Sequence, residues 1–202
     1  MYKCLVLDQY GTLRHHTDFI KLKNKLNITL SSKALQEVFE KELFGLPYDL
    51  CNDRQVVLKK VNKVLNIDIP FRELEDALLS SLGEVDKYLK KLIQDINIKC
   101  SRFKVGILSD CNKVYAISNT NLRHTLGLDF IFNSCELGIT KQDPLCYEIV
   151  TDLLDCEPDE IVFIDDNATN CKLATEFGWK AFVWGAVDNK FIVNEVKELI
   201  LT

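Results

Sequence analysis

Two short apolar runs end directly in aspartate: Cys4-Leu5-Val6-Leu7 before Asp8, and Ile161-Val162-Phe163-Ile164 before Asp165-Asp166. Unbroken apolar runs of this length predict strands buried on both faces, as in a parallel sheet covered by helices. The C-terminal half supplies the crossovers such a sheet needs. Phe103 to Leu108 reads as a strand, and Asn112 to Leu126 as a helix closed by Gly127. Phe130 to Asn133 reads as a strand, and Asp143-Pro144 opens a helix through Leu154, with proline in its favoured first turn. After Ile164 a helix runs to Phe177 and stops at Gly178, Ala181 to Trp184 forms a further strand, and Asp188 or Asn189 caps a last helix to Leu201. The alternation predicts an α/β fold, a Rossmann-like doubly wound parallel sheet with helices on both faces.

Residues 17–83 differ. Leu35, Val38, Phe39, Glu42 and Leu43, and again Val56, Val57, Lys60, Val61, Val64 and Leu65, recur at helical spacing, and no strand is evident. Three or four helices are expected there, as a small all-helical domain inserted in a core of residues 1–16 and 84–202, with Glu84 to Ile96 the helix that returns to the sheet. The 202 residues suffice for one substantial core plus such an accessory unit. A formal net charge of -5 argues against a nucleic-acid partner, and no apolar run is long enough to span a bilayer. Asp8 interrupts the first apolar run too soon for a leader peptide. The eight cysteines contain no Cys-x-x-Cys pair, so reduced thiols in a cytoplasmic protein are expected, with Cys111 and Cys171 nearest the motifs.

Chemistry-bearing residues recur at the carboxyl ends of the predicted strands: Asp8 with Thr12, Ser109, Lys141, and Asp165-Asp166. Ligands of open α/β sheets bind beyond those ends, so the residues should converge. An oriented, partly desolvated carboxylate is a competent nucleophile, the role suggested for Asp8. Thr12 and Ser109 offer hydroxyl donors, and Lys141 can neutralise charge gathering near Asp8. Three carboxylates in one small space repel each other unless a cation intervenes, and Mg²⁺ with its oxygen ligands resolves the conflict. Local roles are also open. Thr12 can stabilise its turn, Ser109 or Asp110 can cap the following helix, and one of Asp165 and Asp166 is expected to cap another. His15 and His16 lie just beyond the first motif, and Phe44, Tyr48, Phe71 and Tyr88 could line a substrate seam.

Together these motifs resemble the haloacid dehalogenase-like hydrolase superfamily. Asp8-Gln9-Tyr10-Gly11-Thr12-Leu13 is similar to its first motif, Ile107-Leu108-Ser109-Asp110 to its second, Glu136 to Pro144 around Lys141 to its lysine motif, and Val162 to Asn167, with Asn170 and Gly178, to its fourth. The resemblance implies a hydrolase with an aspartate nucleophile acting on a small molecule, with a helical cap in the 17–83 stretch. It also implies a Mg²⁺ site of Asp8, the Tyr10 carbonyl, Asp165 and Asp166. Phosphatases of the superfamily carry a second aspartate where this chain has Tyr10. A phenol with an ordinary pKa of ~10 is a poor base at neutral pH, so acyl or aryl phosphates, whose leaving groups need little protonation, become the favoured substrates. Tyr10-Gly11-Thr12 also resembles the 2-haloacid dehalogenases, and Tyr147 resembles a tyrosine those enzymes use. Such enzymes need an arginine for which Arg14, Arg54 and Arg72 are candidates, and they lack the acidic pair. A Mg²⁺-dependent phosphohydrolase is therefore the leading expectation, a 2-haloacid dehalogenase the alternative, and a non-catalytic metabolite-binding protein the third.

Overall fold

The computed structural model describes residues 1–201. Five parallel strands form one sheet in the order β3-β2-β1-β4-β5: β1 Cys4–Leu7, β2 Lys104–Ser109, β3 Phe130–Asn133, β4 Ile161–Asp165 and β5 Lys180–Val183. Each predicted strand is present to within a residue or two. Side chains alternate between two cores. Leu5, Leu7, Val105, Ile107, Val162 and Ile164 face one, and Cys4, Val6, Leu108, Ile161 and Phe163 face the other. All four β1 residues are fully buried, which explains why the run has no polar alternation; burying each large aliphatic contributes about 1.5–3 kcal/mol.

The first core is closed by α5 (Lys87–Lys99), α6 (Lys113–Leu126) and α10 (Asn189–Leu201). The second is closed by α8 (Leu145–Leu154) and α9 (Ala168–Phe177), around an edge-to-face cluster of Tyr147, Phe163 and Trp179. A one-turn helix, α7 (Ser134–Leu137), follows β3. Between β1 and α5 come α1 (Phe19–Lys25), α2 (Ser32–Glu42), a 3₁₀ turn (Tyr48–Leu50), α3 (Arg54–Leu65) and α4 (Phe71–Ser80). Leu22, Leu35, Phe39, Leu58, Val61, Leu74 and Leu78 give these helices a core of their own, into which Val114 of α6 projects.

The helix expected from Glu84 begins instead at Lys87, because Asp86 Oδ1 accepts the amides of Tyr88 and Leu89 at 2.8 and 3.1 Å. Glu84 and Val85 serve a different purpose. The chain leaving β1 and the chain returning to the sheet run side by side, with the His15 amide donating to Glu84 O (2.9 Å) and the Asp18 amide to Ser81 O (2.7 Å). The helical segment is thereby seated over the carboxyl ends of the strands. Among the described residues no helix is long and apolar enough to cross a membrane.

Gly106 lies opposite Phe130 in the β2–β3 register, and a Cβ there would overlap both the Phe130 carbonyl and its ring. Gly106→Ala should therefore destabilise the fold by about 1–3 kcal/mol, as expected of overpacking. Denaturant unfolding measures this, and an unchanged midpoint would show that the sheet yields there freely.

Candidate active site

The β1–β4 register pairs Leu7 with Ile164, so the next residues, Asp8 and Asp165, emerge side by side. Lys141, delivered by the loop before α8, lies between them. Its buried ammonium donates to Asp8 Oδ1 and, at 2.7 Å, to Asp165 Oδ2. Two contacts fix the lysine through its backbone. Its amide donates to the Asp110 carboxylate (3.0 and 3.3 Å), and the Tyr147 hydroxyl donates to its carbonyl (2.9 Å). Burial alone would lower the ammonium's pKa, but Asp8, Asp165 and Asp110 hold it well above its ordinary value. Burial lifts the Asp8 carboxyl, Asp165 and Asp166 add to the lift, and Lys141 opposes it.

Asp165 is fully engaged. Oδ2 accepts Lys141 and Asn170 Nδ2 (3.1 Å), and Oδ1 accepts the Asn167 amide (2.7 Å). Asp166 is more open. Its amide is held by Thr12 Oγ1 (2.9 Å), and His16 Nε2 lies 3.8 Å from Oδ2. Gly11, at φ +89°, faces the same carboxylate, and a Cβ there would overlap Asp166 and the His16 ring. Asp8, Asp165 and Asp166 bring oxygens within 4.8 Å of one another, and Asp8 Oδ2 is buried with no hydrogen-bond partner. An orphaned carboxylate oxygen amid further carboxylates fits a hard divalent cation such as Mg²⁺, which takes oxygen ligands.

Several local expectations are revised. Neither Ser109 nor Asp110 caps α6. Asn112 does, accepting the Val114 and Tyr115 amides (3.1 and 3.4 Å), which frees Asp110 to hold Lys141. Neither Asp165 nor Asp166 caps α9 either, since Asn167 accepts the Thr169 amide at 2.8 Å. Ser109 is fully buried at the end of β2, with its hydroxyl 3.5 Å from Gln9 Oε1. Gln9, a site neighbour that the motifs did not flag, also reaches Ser118 Oγ (3.3 Å). Tyr147 is fully buried, and its hydroxyl lies between the carbonyls of Lys141 and Asn170 (both 2.9 Å), so it shapes the lysine loop from beneath.

Between the strand ends and the helical segment lies a cavity of about 350 Å³, walled by Tyr10, Phe19, Phe44, Asp49, Asp110 and Tyr115, with His16 at its edge. The Tyr10 ring meets Tyr115 edge-on, and its hydroxyl lies 3.1 Å from Ser118 Oγ. Burial pushes the Tyr10 phenol well above its ordinary value, which removes it further from service as a base. Of the four aromatic seam candidates, Phe44 is in the cavity wall. Tyr48 stacks with Lys60, Phe71 packs in the helical core and Tyr88 against the sheet-side core. No arginine or lysine is among the cavity's described lining residues. Arg54 pairs with Glu75 (3.4 Å), and Arg72 lines a depression on the helical segment. Arg14 is half-buried with its Nε unpartnered. All eight cysteines are free thiols; Cys4 and Cys156 sulfurs lie 3.3 Å apart, and Cys111 lines the cavity.

Because the Tyr147 hydroxyl shares its single proton between two backbone carbonyls and Tyr147 is not among the cavity's described lining residues, Tyr147→Phe should cost about 1–3 kcal/mol of stability. Turnover should fall by less than the ~10²-fold that loss of an acid–base group costs. Thermal melts beside initial rates measure both; a large loss of kcat with no loss of stability would place the phenol in the chemistry.

The sequence profile of the haloacid dehalogenase-like hydrolases matches residues 2–178. Over 188 residues the chain is 26% identical to (S)-2-haloacid dehalogenase 1 of Pseudomonas sp. (strain CBS-3), covering 88% of this chain and 82% of that protein. It is 34% identical over 71 residues, 35% of its length, to bifunctional epoxide hydrolase 2 of Rattus norvegicus, and the match spans 13% of the rat protein. A HAD family enzyme from Bacteroides thetaiotaomicron, crystallised with magnesium and inorganic phosphate, has the same fold, with a TM-score of 0.74 at 19% identity over 95% of this chain and 99% of that one. With the profile running from before β1 to the end of α9, through all the motif residues gathered at the strand ends, the chain belongs to the haloacid dehalogenase-like hydrolase family.

Proposed function

We propose that the protein is a Mg²⁺-dependent phosphohydrolase of small phosphorylated metabolites, with Asp8 as nucleophile. The observation that carries this reading is the carboxylate group of buried Asp8 and Asp165 with the more open Asp166, and Asp8 Oδ2 unpartnered among them. Asp8, Asp166 and the Tyr10 carbonyl would hold the ion, with Asp165 within reach but chiefly orienting Lys141. When bound, Mg²⁺ supplies the positive charge that lets a phosphate dianion approach these carboxylates. Lys141 holds Asp8 in place and shares the charge that builds up as Asp8 bonds to phosphorus. Thr12, which already accepts the Asp166 amide, keeps its hydroxyl proton for a phosphoryl oxygen. Ser109 donates on the other flank. Residues 17–83 serve as a cap over a core of residues 1–16 and 84–202, and the cap wall of the cavity selects the leaving group. The free thiols fit a cytoplasmic protein.

The aromatic walls favour an aryl leaving group, and Tyr10 offers it no proton. A 2-haloacid dehalogenase is the second reading. Tyr10 and the 26% identity to the Pseudomonas dehalogenase support it. The cavity opposes it: a haloacid carboxylate would meet Glu40, Asp49 and Asp110 with no arginine or lysine among the described lining.

With Mg²⁺, phosphate release from aryl or acyl phosphates is expected, abolished by EDTA and by Asp8→Asn. No turnover across a broad phosphate panel would sink this reading, and EDTA-insensitive chloride release from 2-chloropropionate would establish the second. Tyr10→Asp should raise alkyl phosphate turnover by up to about 10²-fold, the usual worth of a placed acid–base group, and by less wherever another cavity group already exchanges that proton. Flat activity would show that position 10 does not limit the chemistry.

A further inference from the structure

We propose that Asp49 is a catalytic residue, exchanging the proton at the leaving-group oxygen in the task that Tyr10 cannot perform. The proposal rests on the phosphohydrolase reading. In-line displacement by Asp8 pushes the leaving oxygen away from Asp8, and the water of the second step enters from the same side, so one group facing the cavity can serve both.

The titratable groups around the cavity single out Asp49. Glu40, on α2, is exposed and takes the Gln36 amide at 2.7 Å. Asp110, after β2, commits both oxygens to the Lys141 amide. His16, after β1, lies beside Asp166. Burial pushes the phenols of Tyr10 and Tyr115 above their ordinary values, and a hydrogen bond with Cys135, followed by burial, does the same to the Cys111 thiol. Asp49 is half-buried on the 3₁₀ turn, and its backbone is pinned to the sheet edge. Ser134 Oγ donates to its carbonyl at 2.5 Å, and the Lys113 amide donates to Cys51 O at 2.9 Å. The turn thus belongs to the helical segment by sequence and to the strand ends by attachment. Burial, and secondarily Asp110, pushes the Asp49 carboxyl up to about 6, with Lys141 and the Gly45 amide opposing. A carboxyl so placed is protonated in an appreciable fraction near neutrality, as a general acid requires.

The step balances. As Asp8 bonds to phosphorus and the bond from phosphorus to the leaving oxygen breaks, the Asp49 proton passes to that oxygen and releases a phenol. Asp49, now a carboxylate, takes a proton from water as the water oxygen bonds to phosphorus and the Asp8–phosphorus link breaks. Phosphate leaves, and Asp8 and protonated Asp49 are restored.

The test compares phenyl phosphate with 4-nitrophenyl phosphate, whose leaving group needs little protonation, in the full chain with Mg²⁺. Asp49→Asn should lower kcat/KM on the order of 10²-fold for phenyl phosphate and less than about tenfold for the nitrophenyl ester. It should also lose the fall in kcat/KM above about pH 6 that the wild type shows as its donor deprotonates. Adding Tyr10→Asp to Asp49→Asn should restore the phenyl rate. Equal losses on both esters, or no loss on phenyl phosphate, would overturn the proposal. Should Asp49→Asn fail to fold, the wild type decides: its dependence on leaving-group acidity should steepen above about pH 6, and a slope independent of pH would overturn the assignment. A wild type inactive on every phosphate would instead bring down the underlying phosphohydrolase reading.

Discussion

The structure at the strand ends depends on one buried ammonium. Lys141 stands between Asp8 and Asp165, two carboxylates that parallel pairing forces to emerge side by side. Without it, two anions would be left in a region from which water is largely excluded, and an uncompensated buried charge costs about 3–5 kcal/mol. The neighbouring sequence serves that lysine. Asp110 holds its amide and Tyr147 its carbonyl, and Asn170 donates to the Asp165 oxygen that the lysine also engages. The cluster remains net negative, and that residual charge gives a divalent cation a reason to bind.

This arrangement explains which parts of the site were legible in the chain. Asp8, Ser109, Asp165 and Asp166 follow apolar runs, and strand ends are where a parallel sheet gathers its chemistry, so their convergence followed from the alternation of elements. Local roles were less legible, because several polar residues in a row compete for one helix end. Ser109, Asp110 and Asn112 could each cap α6; Asn112 alone has the register, and that frees Asp110 for Lys141. Asp165, Asp166 and Asn167 resolve in the same manner at α9. Tyr147 shows the converse. Its place in the helix opened by Asp143-Pro144 is legible, but only tertiary contact reveals that its hydroxyl links the lysine loop to the first turn of α9.

Asp49 was not legible at all. It follows Gly45 and Pro47 in a stretch without periodicity, and its position depends on Ser134, 85 residues later in the chain. Gln9 was hidden for a different reason. It stands inside the most recognisable motif, but its contacts, with Ser109 and Ser118, lie beneath the site. Motifs report the residues that meet the reaction and say little about the walls, which here come from a segment whose own pattern is accounted for by packing among its helices.

Tyr10 gains a physical rationale from the charge balance. Asp8, Asp110, Asp165 and Asp166 all bear on the single Lys141 ammonium. An aspartate at position 10 would add a fifth carboxylate two residues from Asp8, raising the electrostatic cost of the site whenever the metal is absent. Tyrosine removes that charge and supplies an aromatic wall that meets Tyr115 edge-on. Asp49 faces a smaller electrostatic load: Asp110 is the one carboxylate that perturbs it, and Lys141 opposes the effect. Moving proton exchange from the metal cluster to the cavity wall would let the two titrate separately. The acid would then respond to what fills the cavity, so that leaving-group binding and leaving-group protonation become properties of the same helical segment.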